Sequence, residues 1–207
     1  MNERRNKDGL TEAEFLARYD ARKYPPVFVT VDIVLLNGSR VLLIRRGDHP
    51  WLGRLALPGG FVEPGDDAES AARREMTEET GVRDIRLRQL PVKSRPGRDP
   101  RARIVTVPFL ACFANQTETV RAGDDAAEAD WWDLDVTQDN ENMTVRLTKG
   151  EERETVRIRR ILPKEGFPED IRYEVLGDSP LASDHAEILA SALDLARQMR
   201  VCKGENE

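Results

Sequence analysis

Three glutamates, one arginine and several glycines stand at fixed spacings between Gly59 and Val82, and together they suit the holding of a cation by oxygen. At about 100° per helical residue, Glu75, Glu78 and Glu79 fall within a sector of about 100°. Like charges three and four residues apart cost about 0.2–0.5 kcal/mol per pair. Glu78 and Glu79 also occupy the last turn, where the helix dipole disfavours anions by about 0.3–1 kcal/mol each. A helix selected only for stability would carry lysine there. The repulsion calls for a cation, and oxygen-rich, histidine-free ligation suits Mg²⁺, with Mn²⁺ able to substitute. Arg74 stands four residues before Glu78 and offsets part of the charge, while Asp66 can hold its guanidinium from the helix start. Asp66 and Asp67 are both placed to cap the N-terminus. Gly59 and Gly60 let the backbone turn sharply, so that a carbonyl of Gly59 can face a metal and a phosphate can approach Gly60. A solvated acidic face is the bland alternative for a lone Glu-Glu pair. Here the arginine, three carboxylates and flanking glycines coincide.

The elements that must position these groups are legible on either side. The acidic segment predicts a helix from about Ala68 to Thr80 ending at Gly81. Before it, the β-branched run Val27–Leu36 and the run Val41–Ile44 flank Asn37-Gly38, a hairpin signal. Leu55-Ala56-Leu57 follows, then a turn at Pro58-Gly59-Gly60. After it come strand-like runs at Ile85–Val92, Arg103–Phe113, Thr117–Arg121 and Ala129–Leu134. Thr11 and Glu14 read as a capping box opening a short helix through about Lys23, with Phe15, Leu16 and Tyr19 as its apolar stripe. From Thr137 to Pro180 the chain carries ten acidic and eight basic residues, a solvated surface that includes a hairpin with Met143, Val145, Leu147, Val156 and Ile158 on its half-buried face. A last helix spans about 183–201, with Ile188, Ala192, Leu195, Ala196 and Met199 at helical spacing. One mixed α/β domain results, residues 25–207, preceded by a helical segment at 1–24 and carrying a hairpin-like insertion at about 137–180.

Composition narrows the partners. The 207 residues carry a net charge of −6, which argues against a nucleic-acid footprint while leaving room for a phosphorylated ligand held by local cations. Two histidines, His49 and His185, are too few for histidine-cluster chemistry. His49 reads as a loop residue and His185 as a cap or packing residue. Cys112 and Cys202 show no metal or disulfide pattern. The run Val27–Leu36 is broken by Thr30 and Asp32, so no membrane span is expected. The N-terminus lacks the apolar stretch of a secretory signal, and a cytoplasmic location is the plain expectation.

The segment from Gly60 to Val82 resembles the signature of the Nudix hydrolases, G-x5-E-x7-R-E-U-x-E-E-x-G-U, where U is aliphatic. Gly60, Arg74, Glu75, Met76, Glu78, Glu79, Gly81 and Val82 match, and Asp66 stands where the family usually has glutamate. The resemblance implies a mixed β-sheet sandwiched between α-helices, and cleavage of a nucleoside diphosphate linked to a group X by cations on Glu75, Glu78 and Glu79. Asp66 then orients Arg74, one methylene shorter than usual. The base that takes the water's proton is a motif glutamate or a later loop carboxylate. Glu128 leads, with Glu118, Asp124 and Asp125 behind it, and a solvated loop carboxylate is an equal reading of each.

The stretches VDIVLL, VLLIRRGDHPWLGRLALPGGFVEPG, GRDPRARIVTVPFLA, AGDDAAEADWWDLD and SPLASDHAEIL resemble the ADP-ribose pyrophosphatase branch. Pro96, 15 residues past Gly81, agrees with that branch and equally with an ordinary turn. The implied reaction yields AMP and ribose 5-phosphate. Arg98, Asp99 and Arg101 then offer groups to a phosphate or ribose, with Arg103 following; a charged turn is their competing reading. Trp51, Phe61, Trp131 and Trp132 are candidates for stacking on adenine, and at least two of them are expected in the core. Other substrates remain open: NADH, another ADP-sugar, a dinucleotide polyphosphate or an oxidised nucleotide. A rival of another class is an ADP-ribose-sensing regulator. It needs a basic recognition helix, and Arg157, Arg159 and Arg160 are its sole candidates. The resemblance also implies a homodimer, with the N-terminal helix and the hairpin most available for contact.

Overall fold

A computed structural model describes residues 4–113, 129–163 and 171–199. Its organising element is strand β1 (Phe28–Asn37), buried from Thr30 onward on both faces. Period-2 alternation sends Val31, Ile33 and Leu35 into one core and Val34 and Leu36 into the other. The first core packs under Ala71, Ala72 and Met76 of helix α2 (Ala68–Thr80). The second packs under Ile188, Leu189, Ala192 and Ala196 of helix α3 (His185–Met199). The sheet therefore lies between α2 and α3, as the mixed α/β reading requires.

β1 turns back into β2 (Arg40–Arg45) through Gly38 and Ser39, with Asn37 paired to Arg40 as the last strand residue. Two short strands follow, β3 (Leu55–Ala56) on β2 and β4 (Gly59–Phe61) on β1. A turn was expected at Pro58-Gly59-Gly60; instead Gly59 and Gly60 pair with Asp32 and Val31. Backbone without side chains is what lets β4 lie against both β1 and α2. After α2 come β5 (Leu87–Gln89) and β6 (Ile104–Cys112), the latter parallel to β1 along its length. β5 is shorter than the expected Ile85–Val92 because it is the edge strand and Pro91 cannot donate to a ladder.

The hairpin expected near 143–158 forms as β8 (Asn142–Lys149) and β9 (Glu152–Ile161). It is joined to the main sheet through β7 (Ala129–Gln138) on one side and to β10 (Arg172–Val175) on the other. Among the described residues the sheet has ten strands: eight in the order β10-β9-β8-β7-β2-β1-β6-β5, with β3 and β4 off that path on β2 and β1. Met143, Val145, Leu147, Val156 and Ile158 complete the core beneath α3. In that helix Ile188, Ala192 and Ala196 are buried and Leu195 packs from the side. Met199, read as part of the same stripe, is 47% exposed.

The capping box is present at α1 (Glu12–Arg18), where the Thr11 Oγ1 accepts from the Glu14 N–H and the Thr11 N–H donates to the Glu14 carboxylate. The helix stops at Arg18, short of the expected Lys23, and a 3₁₀ turn capped by Asp20 follows at Ala21–Lys23. The expected stripe of Phe15, Leu16 and Tyr19 is exposed. Local capping is enough to specify the helix and gives its apolar face no surface to cover. The strand read at Thr117–Arg121 lies outside the described residues, as do Cys202 and the loop carboxylates Glu118, Asp124, Asp125 and Glu128.

Candidate active site

Helix α2 carries the acidic constellation because both of its ends are fixed locally. Asp67 is the N-cap, accepting the Ser70 N–H at 2.8 Å. Gly81 closes the helix at φ 72°, a left-handed conformation that glycine adopts without strain, and its N–H donates to the Thr77 carbonyl. Asp66 does not cap; its carboxylate accepts from Arg74 Nε at 3.2 Å, as the sequence suggested for the shorter side chain. Arg74 also donates to Glu75 at 2.7 Å, to Glu78 at 3.3 Å and to the Phe61 carbonyl at 3.0 Å. Its guanidinium is held above its ordinary pKa, chiefly by Glu75, with Asp66 adding and burial opposing.

The three glutamates sit in different surroundings. Glu78 is largely exposed, with its side chain 59% accessible. Glu75 is mostly enclosed and presses on Gly60, where an added Cβ would overlap its carboxylate. Glu79 accepts the Gly59 N–H at 2.8 Å. Its carboxyl is pushed up to about 7, first by burial and then by the charges of Glu75, Asp32 and Glu78, against the Gly59 hydrogen bond. A divalent cation would reverse that shift, because it favours the charged carboxylate.

The donors fit a hard divalent ion. All are oxygens, and Glu75 fills the space that any larger residue at 60 would take. Among the described residues no three Asp, Glu, His or Cys side chains stand close enough together to hold an ion. Glu75 and Glu78 instead turn to Arg74.

Gly59 and Gly60 also line a cleft bounded by Trp51, Phe61, Arg46, Arg101, Arg98 and His185. Arg101 lies over the Phe61 ring at 5.6 Å and Arg46 near Trp51 at 5.9 Å, so each side of the cleft pairs an aromatic face with a guanidinium. Trp132 is core, while Trp131 is partly buried against the core and packs edge-on to Phe113 at 6.0 Å, so one of the four aromatics is fully core and a second flanks it. Arg101 is forked on Asp99 and remains about half exposed, available to the cleft.

Arg98 lines the cleft as well, and its guanidinium has a partner far away in the sequence. Its guanidinium is buried and forks onto Asp184 at 2.9 and 2.6 Å, with Asp32 at 3.8 Å. Burial works against its charge, and Asp184 more than restores it, raising its pKa. Its Nε and Nη2 each donate to Asp184. Arg103 donates to the Ser94 carbonyl, and Pro96 sits in an exposed turn. His49 is in a loop, as read.

Two cleft residues escaped the sequence reading. Asp32 is the one charged residue of strand β1, yet it is buried and accepts from Thr106 Oγ1 at 2.7 Å. The signal was present, a carboxylate in the middle of a central strand. His185 begins α3 and reaches the cleft floor, where its Nδ1 accepts the Leu57 N–H at 2.9 Å. No local pattern marked it.

Residues 26–149 match the family model described as NUDIX domain. The ADP-ribose pyrophosphatase of Methanocaldococcus jannaschii is 38% identical over 124 residues, which make 58% of this chain and 72% of that protein. An ADPR responsive transcriptional repressor, NtrR, from Acinetobacter baylyi is 36% identical over 107 residues, covering 49% of this chain and 43% of the repressor. The crystal structure of a MutT/nudix family protein from Enterococcus faecalis covers 91% of this chain and 70% of its own, at 34% sequence identity and a TM-score of 0.70.

Proposed function

This chain belongs to the Nudix hydrolase family, and we propose that it is the branch member that splits ADP-ribose into AMP and ribose 5-phosphate with Mg²⁺. The observation that carries the reading is the placement of Gly59 and Gly60, which line the cleft and also meet Glu79 and Glu75. A diphosphate in the cleft is thereby brought to the carboxylates across backbone alone. The 38% identical relative named ADP-ribose pyrophosphatase supports the choice of substrate.

Glu75, Glu78 and Glu79, with the Gly59 carbonyl, would hold the ion, and Mn²⁺ would substitute. When bound, it neutralises phosphate charge and lowers the pKa of the attacking water. Arg74 donates to both Glu75 and Glu78 and so orients the two carboxylates. Gly60 leaves room for a phosphate to approach. Arg101 faces the anionic substrate, and Phe61 and Trp51 offer surfaces for adenine. Asp99 holds Arg101 in its orientation. Arg98 serves as a buried strut of the cleft wall. Glu128 is the proposed base. We take residues 25–207 as the hydrolase domain and residues 1–24 as a helical segment, working as a cytoplasmic homodimer without nucleic-acid or membrane partners. No helix among the described residues is long and apolar enough to cross a membrane.

The relative named as an ADPR responsive repressor gives a second reading, an ADP-ribose sensor. Product analysis with Mg²⁺ and a panel of ADP-ribose, NADH, diadenosine polyphosphates, ADP-glucose and 8-oxo-dGTP separates the two. AMP and ribose 5-phosphate released fastest from ADP-ribose is the expected result. Faster cleavage of another member moves the substrate assignment, and ADP-ribose bound but uncleaved favours the sensor.

A further inference from the structure

We propose that His185 is a positioning residue for Glu79, acting on the carboxylate site from the opposite face of the sheet. The proposal rests on the reading of Glu79 and Gly59 as part of the metal site. His185 belongs to α3, whereas Glu79 belongs to α2, and the sheet lies between them. Both ring nitrogens of His185 nevertheless face groups that flank Gly59. The Leu57 N–H, two residues before Gly59, donates to Nδ1 at 2.9 Å. Nε2 faces Asp32 Oδ1 at 3.5 Å, and Asp32 is the residue paired with Gly59 across β1 and β4.

An imidazole that accepts at Nδ1 carries its proton on Nε2, so the two contacts select one tautomer and one ring orientation. Asp32 is itself held by Thr106 Oγ1 at 2.7 Å. Asp184, the residue before His185, is forked by the buried Arg98. The histidine is thus clamped from its own backbone side and from Asp32. The segment it holds is the one whose next contacts are the Ile33 N–H to the Pro58 carbonyl at 2.8 Å and the Gly59 N–H to Glu79 at 2.8 Å. Moving Leu57 moves the amide that orients the Glu79 carboxylate. Groups that orient metal ligands from behind act in this way, and their loss lowers metal affinity or activity by about 10- to 100-fold.

The test compares His185→Asn, His185→Gln and His185→Phe for Mn²⁺ affinity, followed by electron paramagnetic resonance without substrate, and for steady-state kinetics on ADP-ribose. Asparagine sets its oxygen near the Nδ1 position and keeps an acceptor for Leu57. Glutamine carries its polar group out toward Asp32, and phenylalanine has neither. Asn is expected to stay within about threefold of wild type, while Gln and Phe lose about 10- to 100-fold in Mn²⁺ affinity and in kcat, with KM within about twofold. Equal loss in Asn and Gln, unchanged Mn²⁺ affinity in all three, or a rise confined to KM would overturn the proposal. If the Phe variant does not fold, the contrast between Asn and Gln decides. A wild-type protein that binds Mn²⁺ and leaves ADP-ribose intact sinks the substrate reading alone, since the Mn²⁺ affinities still judge His185.

Discussion

Replacing Glu79 by glutamine should stabilise the metal-free protein at high pH while abolishing most turnover. Burial and three neighbouring carboxylates raise the Glu79 carboxyl from 4.5 to about 7, so folding disfavours its charged form. Below pH 4.5 the group is protonated both folded and unfolded and costs nothing. Between 4.5 and about 7 the folded state retains a proton that the unfolded state loses, so stability falls as pH rises. Above 7 the loss is complete and amounts to about 3 kcal/mol at most, at about 1.4 kcal/mol per pKa unit. Partial solvent access reduces this to roughly 1–3 kcal/mol, or a midpoint rise of about 3–10 °C for Glu79→Gln in a chain of this size. Glutamine keeps an acceptor for the Gly59 N–H, so little else changes. Thermal melts in EDTA at a series of pH values from 4 to 8.5 are the assay. The two proteins should melt together at pH 4 and diverge toward pH 8. Adding Mg²⁺ at pH 8 should raise wild type and leave the variant nearly unmoved. A pH-independent difference, or a variant less stable at pH 8 without metal, refutes the assignment of a destabilising buried charge.

Arg98→Ala should act on stability before kinetics, because it leaves Asp184 buried and unpaired; chemical denaturation is expected to show a loss of about 3–5 kcal/mol. Arg101→Ala should raise the KM for ADP-ribose more than it lowers kcat, and an unchanged KM would return Arg101 to a merely structural pairing with Asp99. Gly60→Ala should lower kcat by at least about tenfold with the fold retained on circular dichroism, since the added methyl displaces the Glu75 carboxylate from a site that tolerates little misplacement. Full activity in that variant would show that Glu75 has freedom to move aside.

Most of the carboxylate site was legible in the sequence because it is local. Arg74, Glu75, Glu78 and Glu79 share one helix, so their spacing determines that they share a face. Asp67 at one end and Gly81 at the other specify that helix through contacts spanning four residues or fewer. Asp66 reaches Arg74 over eight residues, still within reach of the same helix start. Capping and helical periodicity are short-range effects, and they survive without knowledge of the rest of the chain.

The cleft is different because its contacts close long loops. Arg98 meets Asp184 across 86 residues, and Leu57 meets His185 across 128. Charge and hydrogen-bonding capacity were visible at Arg98, but whether a guanidinium faces substrate or is used up inside depends on which carboxylate the fold delivers to it. The apolar stripe of α1 is the converse case, since periodicity foretold an amphipathic face and packing left it exposed. Strand pairing likewise turned an expected glycine turn into β4, and carried the polar hairpin into the main sheet. By itself the sequence determined the helix, the carboxylates it carries and the family. Only the tertiary structure decided which charges remain free in the cleft and which are spent within it, because that choice is made between partners far apart in the chain.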